Sequence, residues 1–168
     1  MKYCSSTTTN HPVAKTYSTC VDDINSFIIA EGYDGQTPLF IDSEVILDMD
    51  KVETLVSASL GRLEKNKSMD MAFGIVDPNN SSKKQMLMVE LKFNMKDFYG
   101  LKKKDLEEKV TGTATILTES IPIYKQYIFI FKSQYLQEAL NRIYRMVPKI
   151  ESNYIALDIN LLKDRFFS

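Results

Sequence analysis

The sequence predicts an α/β fold: a mixed central sheet that contains one antiparallel hairpin and is flanked by helices. Three observations carry this. Two apolar runs, "MDMAFGIV" (69–76) and "KQMLMVELKFN" (84–94), are joined by "DPNNSSK", a segment so full of turn-forming residues that a β-hairpin is the simplest connection. "KQYIFIFK" (125–132) is a continuous apolar run bounded by lysines, the mark of a central strand covered on both faces. Segments with helical periodicity alternate with these strands, which calls for at least one crossover through a helix.

In chain order, residues 1–16 are rich in Ser, Thr, Asn and Pro and read as a flexible arm, with 17–168 as a single domain. "STCVDDINSFIIAEGYDG" then predicts a helix capped by Ser18 or Thr19, with Val21, Ile24, Phe27 and Ile28 at helical spacing and an end near Gly32. "PLFIDSEVILD" suggests extended structure. "DMDKVETLVSASLGRLEKNK" predicts a second helix, since Val52, Leu55, Val56, Leu60 and Leu63 recur three or four apart, with acids early and lysines late as the helix dipole favours. After the hairpin, "FYGLKKKDLEEKVTGTATIL" predicts a helix over 102–118, whose Thr and Gly residues weaken its end. The apolar strand comes next. Ser133 is then expected to cap the helix "QYLQEALNRIYRMV", and "NYIALDIN" predicts a final strand.

Length and composition allow one core: 168 residues, 44% of them hydrophobic. No apolar run approaches the roughly 18 residues of a membrane helix, and the polar start has no signal-like apolar segment, so no membrane is expected and the cytoplasm is the default compartment. His11 is the only histidine and the cysteines are Cys4 and Cys20, a set that argues against structural zinc, a Ser-His-Asp triad or a Cys-His dyad. Net charge is −1, but residues 1–50 hold two lysines against eight acids, whereas 51–168 hold nineteen bases against fourteen acids. Such a gradient is compatible with a local basic patch for nucleic acid and equally with ordinary solvated charge.

The hairpin raises the sharpest question. If its connection is symmetric about Asn80, paired positions sum to 160, and Asp70 stands opposite Glu90 with Lys92 on the same face. The other face collects Met69, Met71, Phe73, Ile75, Leu87, Val89, Leu91 and Phe93 and is the core side. Ala72 and Gly74, small residues beside the acids, leave room for something to approach. Two opposed carboxylates repel unless a cation intervenes, and either Lys92 or a divalent metal can supply it. The plainer alternative is a solvated charge pair across a hairpin, worth roughly 0.2 to 1 kcal/mol.

Asp70, then Glu90-Leu91-Lys92, on an antiparallel hairpin preceded by a helix and followed by a helix and a buried strand, resembles the PD-(D/E)XK nuclease superfamily, the restriction-endonuclease-like fold. The resemblance covers about residues 49–132. Ser68-Met69 stands where the family name has Pro before the first acid. The resemblance implies that Asp70 and Glu90 ligate Mg²⁺ or Mn²⁺, and that Lys92 positions the attacking water and neutralises charge in the transition state. It also implies an acid from the preceding helix, Glu53 or Glu64, with Glu53 preferred for its place beside the apolar stripe. From the following helix it implies basic contacts to the nucleic-acid backbone at Lys102, Lys103 and Lys109, Lys109 foremost. The implied activity is hydrolysis of phosphodiester bonds in DNA or RNA; the alternative is a fold relative without activity that binds or regulates, with a protein partner or a second copy of the chain.

Overall fold

The computed structural model describes residues 1–117 and 120–168. The chain order is β1 (Lys2–Tyr3), α1 (Ser5–Thr9), α2 (Pro12–Thr16), β2 (Val21–Asp23), α3 (Ile24–Ala30), β3 (Val45–Asp48), α4 (Met49–Ser59), β4 (Met71–Asp77), β5 (Asn80–Lys92), α5 (Lys103–Leu117), β6 (Tyr127–Phe131), α6 (Leu136–Tyr144), β7 (Tyr154–Leu157) and α7 (Ile159–Phe166). Among the described residues these form one open, mixed, seven-stranded sheet in the order β2-β3-β4-β5-β6-β7, with β1 against the far end of β4. The first part of the sheet is antiparallel. β5, β6 and β7 run parallel, joined by crossovers that carry α5 and α6.

The hairpin register agrees with the arithmetic of the sequence. Met71 pairs with Val89, Ala72 with Met88 and Phe73 with Leu87, and so on to Val76 and Lys84. A bulge then shifts the last pair to Asp77 and Asn80, so the turn is tighter than a loop symmetric about Asn80. Both faces of this sheet are buried. One packs Met71, Phe73, Leu87, Val89, Ile128 and Ile130 against Ile24, Ile28, Leu162 and Phe166. The other packs Ala72, Met86, Met88, Phe129 and Phe131 against Val52, Leu106, Val110 and Leu117. Met69, expected on the first face, joins the second.

Residues 1–16 are not a free arm. The Cys4 N–H donates to the Gly74 carbonyl at 2.8 Å, and the Gly74 N–H donates to the Thr8 hydroxyl at 2.8 Å. The space beside Gly74 is therefore filled by α1, since a Cβ there would lie 2.4 Å from Thr7 Cβ. Thr7, Thr8, His11, Val13 and Ala14 are buried. A Ser/Thr-rich stretch resembles a linker by composition, yet the Thr8 hydroxyl and the Cys4 N–H here bond to the backbone of β4.

Other boundaries moved for local reasons. The helix expected from Ser18 starts at Ile24, because Val21–Asp23 pair with β3 and Asp23 caps the helix through the Ser26 N–H at 2.8 Å. α4 stops before Gly61, whose φ of +63° closes it, leaving Leu63 exposed. The last predicted residue of the 102–118 helix lies outside the described residues. Ser133 enters a short 3₁₀ turn, Ser133–Tyr135, and does not cap α6. α7, which the sequence reading lacked, is capped by Asp158 through the Leu161 N–H at 2.9 Å. Among the described residues no helix is long and apolar enough to cross a membrane.

Candidate active site

Asp70 is the residue before β4, and its carbonyl accepts the N–H of Met49, the first residue of α4. One step beyond the Met71–Val89 pair it faces Glu90, and its Oδ2 accepts the Leu91 N–H at 2.5 Å. Glu90 lies in the middle of the sheet, between Asp70 and Phe129 of β6, with 1% of its surface exposed. The Lys92 ammonium contacts Glu90 Oε1. Lys109 reaches in from α5, with Nζ 2.7 Å from Glu90 Oε1, 2.9 Å from Oε2 and 3.5 Å from Asp70 Oδ1. Two acids and two lysines therefore share one cluster.

The residues that weaken α5 on paper are the ones that seat it. Gly112 lets the helix approach the chain so closely that a Cβ would lie 2.0 Å from the Lys67 carbonyl. One residue later the buried Thr113 hydroxyl accepts the Met69 N–H at 2.7 Å. This clamp, one turn past Lys109, fixes the distance from α5 to the start of β4, and with it the reach of Lys109 to Asp70.

Burial pushes the Asp70 carboxyl up to about 7, the Glu90 charge pushes it the same way, and Lys109, the Leu91 N–H and Lys92 offset only part. For Lys109 burial acts to lower the pKa, but the Glu90 and Asp70 carboxylates outweigh it and hold the ammonium above its ordinary value. Glu31, which follows α3, is raised by burial and by Asp50, Asp48 and Glu90. The site is rich in negative charge that its lysines do not fully balance.

Asp70, Glu90, Lys92 and Lys109 are thus brought together as the sequence suggested. Lys102 is exposed and lines a cleft of about 240 Å³ with Lys67, Lys92, Asp105 and Lys109. Lys103 turns elsewhere, donating to the Lys149 carbonyl at 3.0 Å and pairing with Glu107 at 3.4 Å. Glu53 is a correction of a different kind. It is buried, but its carboxylate is held by Arg62 at 3.0 Å and by the Asn66 N–H at 2.6 Å, contacts that tie down the segment after α4 and do not join the Asp70 cluster. Glu64 is exposed.

No family model, curated protein or solved structure matches the chain. The site must therefore be read from its own geometry. After Glu90 and Asp70, the charge of Asp50 on α4 also helps hold the Lys109 ammonium above its ordinary value, and its Oδ1 accepts the Ser68 hydroxyl at 2.5 Å. In the sequence Asp50 reads as an ordinary first-turn acid, and the fold leaves it exposed while Glu53, three residues on, turns inward to Arg62. Among the described residues no group of three or more His, Cys, Asp or Glu is arranged around a metal position. Two opposed carboxylates, one pushed up to about 7 by burial and by its neighbour, still suit a hard divalent cation, because Mg²⁺ is held by one or two carboxylates with water completing the octahedron.

Proposed function

We propose that this chain is a metal-dependent nuclease that hydrolyses phosphodiester bonds of DNA or RNA, built on a restriction-endonuclease-like core over about residues 49–132. The observation that carries the reading is the convergence of Asp70, Glu90, Lys92 and Lys109 in one cluster, whose two lysines line a cleft with Lys67 and Lys102. The run α4, β4, β5, α5, β6 around that cluster supports it, being the order of elements that the resemblance requires.

In this reading Asp70 and Glu90 hold Mg²⁺ or Mn²⁺, which when bound polarises the phosphoryl oxygen and lowers the pKa of a water molecule. Lys92 orients that water and faces the negative charge that grows on the phosphate. Lys109 holds the Glu90 carboxylate against its neighbour Asp70. Lys102 offers its ammonium group to a flanking phosphate in the cleft, while that of Lys67 is paired with Asp105 and Glu108 at 2.6 Å.

Incubation of the purified protein with Mg²⁺ or Mn²⁺ and single- or double-stranded DNA and RNA tests this. Cleavage is expected in at least one combination, with Asp70→Ala and Lys92→Ala each lowering the rate by about a hundredfold or more. If all four substrates stay intact with both metals, the enzyme reading fails. One observation favours a non-catalytic binding module as the second reading: both oxygens of Glu90 are already engaged by lysines, so the cluster is partly neutralised without any metal.

A further inference from the structure

Immediately before the lysine-lined cleft the chain makes a 3₁₀ turn, Phe98–Gly100. Phe98 is buried, its ring 5.7 Å from that of Phe131 and 6.2 Å from that of Tyr135. Tyr99 points the other way and is 86% exposed. The turn is firmly held. Asp97 accepts the Tyr99 N–H at 2.9 Å, and the Arg142 guanidinium donates to the carbonyls of Tyr99 at 3.5 Å and Leu101 at 3.1 Å. An exposed aromatic ring on a fixed backbone has little to lose on being covered, because the ordering of the backbone is already complete.

The surroundings define what would cover it. Phe98 and Tyr99 line a second cleft, of about 330 Å³, together with Arg142, Arg145, Asn141 and Glu138. Gly100, Leu101 and Lys102 line the first cleft, beside Lys92 and Lys109. The turn is thus a ridge with exposed cations on both sides, Arg145 in the outer cleft and Lys102 in the inner, where Lys67 pairs with Asp105 and Glu108, and Lys92 and Lys109 with Glu90. A stacking surface flanked by the exposed Arg145 and Lys102 fits a flexible polyanion whose bases are free to stack. In a duplex the bases are already stacked on one another, so Tyr99 would have no free face to meet.

We infer that the ridge of Tyr99 and the Arg142–Arg145 cleft form a track for single-stranded nucleic acid leading into the Asp70–Glu90 site, with an unpaired base stacked on the Tyr99 ring and a phosphate near Arg145. This deepens the nuclease reading and rests on it for the direction of the strand, assigning unpaired strands, ends or flaps as the substrate class.

Binding and cleavage separate the two ideas. Fluorescence anisotropy of a labelled twelve-nucleotide single strand, as DNA and as RNA, is measured in EDTA, against the same sequence as a duplex. Tyr99→Ala and Arg145→Glu, two exposed positions, are compared with the unaltered chain, and circular dichroism checks that each variant is folded. The single strand is expected to bind more tightly than the duplex, with each substitution weakening it by about tenfold, and Tyr99→Phe keeping most of the affinity. Equal affinity in all variants, or preference for duplex, overturns the track even if Asp70-dependent cleavage is found. Conversely, Tyr99-dependent single-strand binding without cleavage in Mg²⁺ or Mn²⁺ upholds the track and removes the nuclease.

Discussion

Lys109 of α5 holds both carboxylate oxygens of Glu90, at 2.7 and 2.9 Å, although the two residues lie on different elements and Glu90 is almost wholly buried. A carboxylate at that depth is tolerated only while its charge is met. Replacing Lys109 with Met leaves Lys92 as the remaining ammonium on Glu90, and is expected to cost about 2 kcal/mol in urea unfolding. The double variant with Glu90→Gln should recover most of that loss, because the charge that needed the partner is gone. Recovery of nothing would mean that Lys109 matters through packing alone.

The parts of this site that were legible in the sequence share one cause. Strand periodicity is rigid, so once the hairpin was recognised the positions of Asp70, Glu90 and Lys92 followed from counting, and the observed Met71–Val89 pair has the same sum. Helices are less easily read, because rotation about the axis decides which side chain faces the sheet. Lys109 is drawn to the cluster, whereas Glu53, preferred over Glu64 for its place beside the apolar stripe, is turned by the fold to the Arg62 pair. The short N-terminal elements were illegible for another reason. They have almost no periodicity of their own, and their order comes from hydrogen bonds to Gly74 of β4, 66 positions away from Thr8 in the chain.

The two acids of α4 can be told apart by experiment. Glu53→Gln removes the charge that pairs with Arg62 and replaces one of its two acceptor oxygens with a donor facing the guanidinium, so a loss of about 2 to 4 kcal/mol is expected, with cleavage per folded molecule unchanged. Asp50→Asn touches an exposed residue whose charge acts on Lys109. It should change cleavage several-fold while shifting stability by less than about 1 kcal/mol. Denaturant titration beside initial rates distinguishes these outcomes, and the reverse pattern would restore Glu53 to the site.

Gly74→Ala tests the docking of the first sixteen residues. The added methyl would meet Thr7 Cβ at 2.4 Å and the Thr8 nitrogen at 2.6 Å, and backbone cannot give way as a side-chain tip can. A loss of about 1 to 3 kcal/mol is expected, with proteolysis appearing first within residues 1–16. Unchanged stability and an uncut N-terminus would show that α1 is free to shift.

The most discriminating measurement is the pH dependence of Asp70→Asn. The folded protein holds this carboxyl at about 7 against an ordinary 3.8, first through burial and then through Glu90, so the fold favours its protonated form. A raised acid contributes stability that is present in full below the unfolded value, and that contribution is lost as pH rises through the folded one. Ionising Asp70 therefore costs the fold up to about 4 kcal/mol by pH 8. An amide keeps an oxygen for the Leu91 N–H but gives up the attraction of Lys109, so the net gain expected from the substitution at pH 8 is about 2 kcal/mol, shrinking to nothing near pH 4. Mg²⁺ should raise the melting temperature of the unaltered protein at pH 8, by supplying the missing positive charge, and leave the variant unmoved. Equal responses of the two proteins to pH and to Mg²⁺ would remove Asp70 from any metal site.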